Sequence, residues 1–293
     1  MPSLNPDTAG SRQEQQPINL NSDKAALDEN GLKKILSFIL EYKGIDVSNY
    51  RKSFLLRRIR LRLLATNVSD YRQYIELLNK NNSEFNLFLD ELSINVTEFF
   101  RDPDVFSAFK DIVLSEIIKR KAGAGNYNLR IWSSACASGE EPYSIAILVQ
   151  EALGSNHNFA VRIWASDIDA QVLEKARKAE YPQASLQKIS PQILKKYFVP
   201  AGGALYRVSD NIRQMVKFQA HNIFHEPPFK CMDIIFCRNV IIYLDRAQTK
   251  ELFGKFNRLL NPKGYLVLGK VETLWEKDLF TPIDLKTKIY QKA

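Results

Sequence analysis

Four apolar runs in this chain end in small or polar residues, and its candidate chemistry gathers at those endings. The first, LRIWSS (129–134), leads through the turn from Ala135 to Glu141 (ACASGEE) into a helical pattern. Small residues let a backbone approach a ligand closely, and a helix start adds N–H donors without helical partners. The turn is not G-x-G-x-x-G, and Glu140 and Glu141 would repel a phosphate, so a pyrophosphate dinucleotide is disfavoured. The same glutamates suit a ligand carrying an amino group or a positive charge. The second run ends at Asp167, where a carboxylate can accept hydrogen bonds from ribose hydroxyls. The third ends at Asn222 and Ile223, and the fourth at Arg238 and Asn239. Together they describe a nucleoside bound across strand ends, with a cationic or zwitterionic tail near the first turn. S-adenosyl-L-methionine has that constitution: an adenosine, no phosphate, a sulfonium and an amino acid. Taken singly, Asp167 also reads as a helix N-cap and Arg238 as half of a buried ion pair.

Two further stretches carry candidates. NVTEFFRD (95–102) offers Asn95, Thr97 and Arg101 as a lid over the ligand site, or Phe99 and Phe100 as packing between two halves of the chain. RKSFLLRRIRLR (51–62) holds six basic residues and no acid. At helical spacing Leu55, Leu56, Ile59 and Leu63 share one arc, while Arg57, Arg58, Arg60 and Arg62 spread over the rest. That is either a solvated face or a docking surface for an anionic partner. His157, His221 and His225 do not pair with cysteine at metal-ligand spacing. Cys136 has no evident base and reads as a small packing residue.

The elements that must position these residues follow from composition and periodicity. The chain has 293 residues, 45% hydrophobic and 25% charged, with a net charge of +8, the balance of a folded globular protein. Residues 1–100 carry thirteen basic and thirteen acidic residues, and the remainder twenty-eight and twenty. No apolar run is long enough for a transmembrane helix, and the N-terminus has no signal-type apolar region. Three cysteines without a C-x-x-C pair suggest a reducing, cytoplasmic setting. Residues 1–24 are polar and read as a disordered tail. From 25 to 94 apolar residues recur at three and four spacing, predicting a small helical bundle, and 95–126 read as a linker and connecting helix. Beyond that, strands at LRIWSSA, FAVRIWASD, DIIFCRN and YLVLG alternate with helices at 140–153, 170–179 and 246–260. The alternation predicts an α/β domain over 127–293 with a parallel-rich sheet. LKTKIYQKA reads as a final edge strand, and about 181–220 as an inserted antiparallel β-subdomain.

With these residues in hand the chain resembles the chemotaxis-receptor protein-glutamate O-methyltransferases, the CheR family. The motifs that carry the resemblance are NVTEFFRD, SSACASGEEPYSIAI, ASDIDAQVLEKARKAEY, SPQILKKYF, YRVSDNIRQMVKFQAHNI, DIIFCRNVIIYLD and LLNPKGYLVLG, in the family's order over about residues 30–293. The resemblance implies a helical N-terminal domain joined to a Rossmann-like S-adenosyl-L-methionine-dependent methyltransferase domain. It implies cofactor positions at Asn95, Thr97, Arg101, Ala135, Glu141, Asp167, Asn222, Ile223, Arg238 and Asn239, and places Arg101 and Tyr243 beside the transferred methyl. It implies that the basic helix, with Arg57, Arg58, Arg60 and Arg62, meets the acidic methylation helices of chemoreceptors. It further implies a monomer that neither inserts into a membrane nor binds nucleic acid.

Three features depart from the family. LGKVETL (268–274) replaces the usual histidine and serine with Lys270 and Val271 at the active-site rim. VPAGGAL (199–205) is short, which predicts independence from a receptor's C-terminal pentapeptide tether. The polar tail is extra. Two rival readings remain: a non-catalytic S-adenosyl-L-methionine-sensing adaptor, and a nucleic-acid methyltransferase. The latter needs a base-binding loop after the DIIFC strand, whereas Glu226-Pro-Pro-Phe229 precedes it.

Overall fold

The computed structural model describes residues 29–93, 97–154, 156 and 158–293. The polar tail, Asn95 and His157 lie outside them. The first part comprises helices α1 (Glu29–Lys43), α2 (Lys52–Ala65), α3 (Tyr71–Lys80) and α4 (Asn82–Ser93). Their apolar stripes meet in one core, to which α2 contributes Leu55, Ile59 and Leu63, one every four residues. Leu56 packs at the edge of that core. Asp70 caps α3 by accepting from the N–H groups of Arg72 and Gln73.

Pro103 opens α5 (Pro103–Ala108), which continues through a π-helical segment into α6 (Ser115–Gly123). Strands and helices then alternate: β1 (Asn128–Ser134), α7 (Glu140–Leu153), β2 (Ala160–Asp167) and α8 (Ala170–Lys178). Next come β3 (Glu180–Pro182), α9 (Pro191–Tyr197), β4 (Phe198–Pro200), β5 (Leu205–Val208), α10 (Asp210–Arg213) and β6 (Val216–Ala220). The chain ends with β7 (Met232–Cys237), α11 (Arg246–Leu259), β8 (Leu260–Leu268), β9 (Phe280–Asp284) and β10 (Ile289–Lys292).

The main sheet has seven strands in the order β6-β2-β1-β7-β8-β10-β9. The first five are parallel, and β10 is antiparallel to both its neighbours. Both faces are covered. Ile131, Ile234 and Phe236 pack to one side, and Trp132, Ile235 and Cys237 to the other. This is why the strands read as continuous apolar runs rather than as alternating ones.

Two expectations are corrected. The last strand is not at the edge, because β9 runs out first and β10 returns to fill the gap beside β8. Ile289 and Tyr290 are accordingly both buried, on opposite faces. The antiparallel unit is the three-stranded sheet β3-β5-β4 and stops at Val208; Val216–Ala220 instead pairs in parallel with β2 as the outer strand of the main sheet. Val216 and Phe218 pack against the main core, which holds that strand there.

Candidate active site

The register sets Ser134 beside Ser166 on one flank and Cys237 on the other, so the turns that follow β1, β2 and β7 leave the same edge of the sheet. Above that edge lies a cleft, open to solvent at its mouth. Thr97 and Arg101 reach it from the linker, Ala135 and Glu141 from the turn after β1 and the start of α7, and Asp167 from the end of β2. Asn222 and Ile223 follow β6, and Arg238, Asn239 and Tyr243 follow β7.

The turn after β1 is shaped by left-handed residues, with φ of 55° at Ala135, 45° at Ala137 and 97° at Gly139. At Gly139 a Cβ would lie 2.9 Å from Ala176 Cβ and 3.0 Å from the Tyr181 hydroxyl, so only glycine fits. The Ala137 N–H donates to Asp167 Oδ2 at 2.9 Å and the Asp169 N–H to Oδ1 at 3.0 Å. Burial nevertheless pushes the Asp167 carboxyl up to about 6. Asp167 is not a helix cap. Asp169 caps α8, accepting from Gln171 and Val172.

The ion-pair reading of Arg238 holds, and it organises the floor. Its guanidinium donates to Glu141 Oε2 at 3.1 Å, to Asp102 Oδ2 at 2.6 Å and to the Arg101 carbonyl at 2.9 Å. It thereby ties the linker to the turn after β1 and sets the backbone of Arg101. Glu141 also accepts from Ser133 Oγ at 2.8 Å. Burial raises its carboxyl and Arg238 opposes the rise.

Two supports went unread in the sequence. Glu272 accepts four main-chain N–H groups, from Gly269 (2.7 Å), Asn239 (3.0 Å), Val240 (2.8 Å) and Ile241 (2.8 Å). It fixes the loop that carries Arg238, Asn239 and Tyr243. Lys255, buried on α11 with its amine pushed down to about 8 by desolvation, donates to the Ile223 carbonyl and to that of His225 at 3.0 Å.

The helical half closes the cleft. Asp46, Asn49 and Tyr50, from the loop between α1 and α2, form one wall, and none was singled out from the sequence. Asn222 Nδ2 donates to the Asp46 carbonyl at 3.3 Å. At the start of α2 the Arg51 N–H donates to the Tyr243 carbonyl at 2.8 Å, and Arg51 Nε to the Leu244 carbonyl at 2.6 Å. The Tyr243 ring packs 4.7 Å from that of Phe54 and 6.4 Å from that of Tyr50. Burial and the nearby Asp167 charge hold the Tyr50 hydroxyl well above its usual range.

The basic helix divides. Arg57 and Arg60 are exposed. Arg58 pairs with Glu91 at 3.1 Å and stands over the Phe54 ring. Arg62 is corrected from docking residue to part of the helical core: its Nε and Nη2 both donate to Glu84, which also accepts from the buried Tyr74 hydroxyl. Four residues beyond Arg58 on α2, it falls against α4 rather than toward solvent. The rim departures also turn outward. Lys270 pairs with Asp104 at 2.8 Å and Val271 is 73% exposed, and neither lines the cleft. Cys136 packs beneath the first turn with Ala165 and Leu173, and burial raises its thiol. His221 lines the cleft, and among the described residues no group of three or more His, Cys, Asp or Glu converges as for a metal ion. No described helix is long and apolar enough to cross a membrane.

The donor set fits S-adenosyl-L-methionine. Asp46, Glu98, Glu141 and Asp167 line the cleft with Arg101 and Arg238, so carboxylates outnumber arginines four to two and suit an ammonium and a sulfonium better than a phosphate. Asp167 spends one N–H acceptance on each oxygen and keeps lone pairs for ribose hydroxyls. Fold and site together define an S-adenosyl-L-methionine-dependent methyltransferase.

Comparison with known proteins narrows the class. Residues 95–289 match the SAM binding domain of the CheR methyltransferases and residues 30–93 match their all-alpha domain. The chain is 34% identical to the chemotaxis protein methyltransferase of Salmonella typhimurium over 86% of each chain. It is 32% identical to that of Borreliella burgdorferi, over 88% of this chain and 94% of the relative. It is 33% identical to that of Escherichia coli, over 86% and 87%. The chain belongs to the CheR methyltransferase family.

Proposed function

We propose that the protein methylates glutamate side chains on the acidic methylation helices of chemoreceptors. The observation that carries the reading is that Arg101 and Tyr243 line the same cleft as Glu141 and Asp167, at its meeting with the helical half. When bound, S-adenosyl-L-methionine supplies a methyl on a sulfonium, and the products are a glutamate methyl ester and S-adenosyl-L-homocysteine. A glutamate is ionised at pH 7, so the residues here need supply no general base. Their task is to hold the oxygen in line with the methyl. Arg101 offers a charged donor for the carboxylate. Tyr243, braced by Phe54 and by the Arg51 bond to its carbonyl, walls the path to the methyl. Asp167 and Glu141 bind the ribose and the ammonium, while Thr97, Ala135, Asn222, Ile223, Arg238 and Asn239 shape the remainder of the cofactor site. Asn95 carries over from the family resemblance alone. The protein acts in the cytoplasm, as a monomer, and without nucleic acid.

Incubation with labelled S-adenosyl-L-methionine and receptor membranes tests the reaction. Base-labile label on the receptor is expected. Base-stable label on added RNA or DNA overturns the reading in favour of a nucleic-acid enzyme, and cofactor binding with no transfer overturns it in favour of a sensing adaptor. Arg101→Ala should lower kcat about a hundredfold at saturating cofactor and receptor, because the attacking carboxylate is no longer held in line with the methyl. The four-residue turn 201–204 between β4 and β5 supports independence from a receptor pentapeptide. Receptors truncated at the C-terminus should therefore be methylated at the rate of intact ones.

A further inference from the structure

A second groove lies on the outer side of the Tyr243 loop. It is bounded by Arg51 at the start of α2, Ile241 and Ile242 of the loop, Arg246 at the start of α11, and Val271 and Trp275 beyond β8. Ile242 lines both this groove and the cofactor cleft, so the two are separated by one loop.

Trp275 is 61% exposed and Val271 73%. Single exposed apolar residues need no explanation, but here a tryptophan and a valine flank one concavity. The Arg246 guanidinium stands 5.8 Å from the centre of the Trp275 ring. Tryptophan and arginine are the residues that most often anchor protein interfaces. The acids of the groove are already engaged. Glu272 accepts its four main-chain N–H groups, and Asp245 caps α11 by accepting from Gln248. Both carboxylates keep their charge but turn it toward main-chain N–H groups, so the donors left to meet a partner's carboxylates are the two arginines.

We propose that this groove seats the stretch of substrate beside the reacting glutamate: an acidic, amphipathic segment whose apolar side chains cover Trp275 and Val271 and whose carboxylates face Arg51 and Arg246. The inference rests on the protein-glutamate reading and assigns that reaction a second docking site. The substrate is then held on two sides of the methyl-transfer mouth, by the outward arginines of α2 and by the Trp275 shelf. Arg51 belongs to both, because it bonds the Leu244 carbonyl and lines the groove. Of the two departures from the family, Val271 lines this shelf and not the cofactor cleft, which makes it a determinant of which receptor is accepted, whereas Lys270 is paired with Asp104.

Binding and turnover give separate tests with the full chain. Calorimetry measures the affinity of a receptor's methyl-accepting fragment for wild type, Trp275→Ala and Arg246→Glu, and S-adenosyl-L-methionine affinity is measured alongside as a check on folding. Trp275→Ala should weaken fragment binding about tenfold or more, as for an interface anchor, and raise KM by a similar factor. Arg246→Glu should weaken it less, with a loss that shrinks at high salt. Fragment affinity within twofold of wild type in both variants overturns the inference. So does a shift by Trp275→Ala from dimer to monomer in sedimentation, which would make the groove a contact between copies of this chain. A wild-type enzyme that binds the fragment through Trp275 but transfers no base-labile methyl leaves the groove standing and sinks the glutamate chemistry instead.

Discussion

Asp167 and Glu272 are both buried acids at the carboxyl edge of the same sheet, and both are raised by burial against bonds from main-chain N–H groups. They differ in what those bonds leave over. Glu272 accepts four N–H groups from two loops and is filled by the fold. Asp167 accepts two, one on each oxygen, and faces the cleft with acceptor capacity to spare. Burial and residue type do not separate a ligand-binding acid from a structural one, whereas hydrogen-bond saturation does.

The most forceful way to break that contrast is Glu272→Ala. It strands four main-chain donors in a buried loop and should cost about 3–5 kcal/mol in urea unfolding, the scale of a broken buried charge network. Methyl transfer should fall with it, because the loop carries Tyr243. A loss below about 1 kcal/mol would mean that the loop is held by other contacts and that Glu272 is not the clamp.

Asp167→Asn probes the other acid and should show the opposite profile. The amide keeps the shape and one acceptor oxygen but turns its NH2 toward one of the two N–H donors, so stability should fall by about 1–2 kcal/mol, less than in Glu272→Ala. Cofactor affinity should fall about a hundredfold by calorimetry, the loss of two charge-assisted contacts to ribose. If stability fell as far as in Glu272→Ala, the contrast with Glu272 would be false.

The pH dependence sharpens the same distinction without mutation. Asp167 titrates near 6 when folded, against an ordinary carboxylate value of 3.8. Between those values the folded chain holds a proton that the unfolded chain has lost, so this group's contribution to cofactor-free stability declines as pH rises through the window. Cofactor binding runs the other way, since the ribose contacts use the ionised form. The rise in Tm on adding S-adenosyl-L-methionine should be small at pH 5 and reach its plateau by about pH 7.5. A rise that does not vary with pH would put the ribose on a different group.

The contrast also marks how far the sequence could be read. Asp167, Arg238 and Asn239 were legible because each closes an apolar run, and Glu141 because it follows the turn that closes another; a parallel sheet aligns the ends of such runs. Glu272 was passed over because its role depends on the chain returning beside Asn239, whose φ of 60° turns the N–H groups of that loop inward. Tyr50, Asp46 and Asn49 were missed for a related reason: they sit in a polar loop of the other half, and only the docking of α2 on Tyr243 brings them to the cleft. The strand Val216–Ala220 was assigned to the insertion because its polar alternation reads as that of any outer strand, and its partner is fixed by packing. The Ile289-Tyr290 pair carried an unused signal, since adjacent apolar residues in a strand face both ways and so mark an interior position.

Saturation also sorts the arginines of α2, where the smallest effect is expected. Arg62 is filled by Glu84 inside the helical core, so reversing it would report on folding and not on the receptor. Arg57 and Arg60 are exposed and form no ion pair among the described residues within 4.0 Å. Arg57→Glu and Arg60→Glu should each raise KM for receptor about threefold at low salt, leave cofactor affinity alone, and lose most of that effect near 0.5 M salt, where surface charges are screened. If KM and its salt dependence stay at wild-type values in both variants, these arginines are a solvated face, and an unfilled charge at the surface carries no docking information without an apolar anchor such as Trp275 beside it.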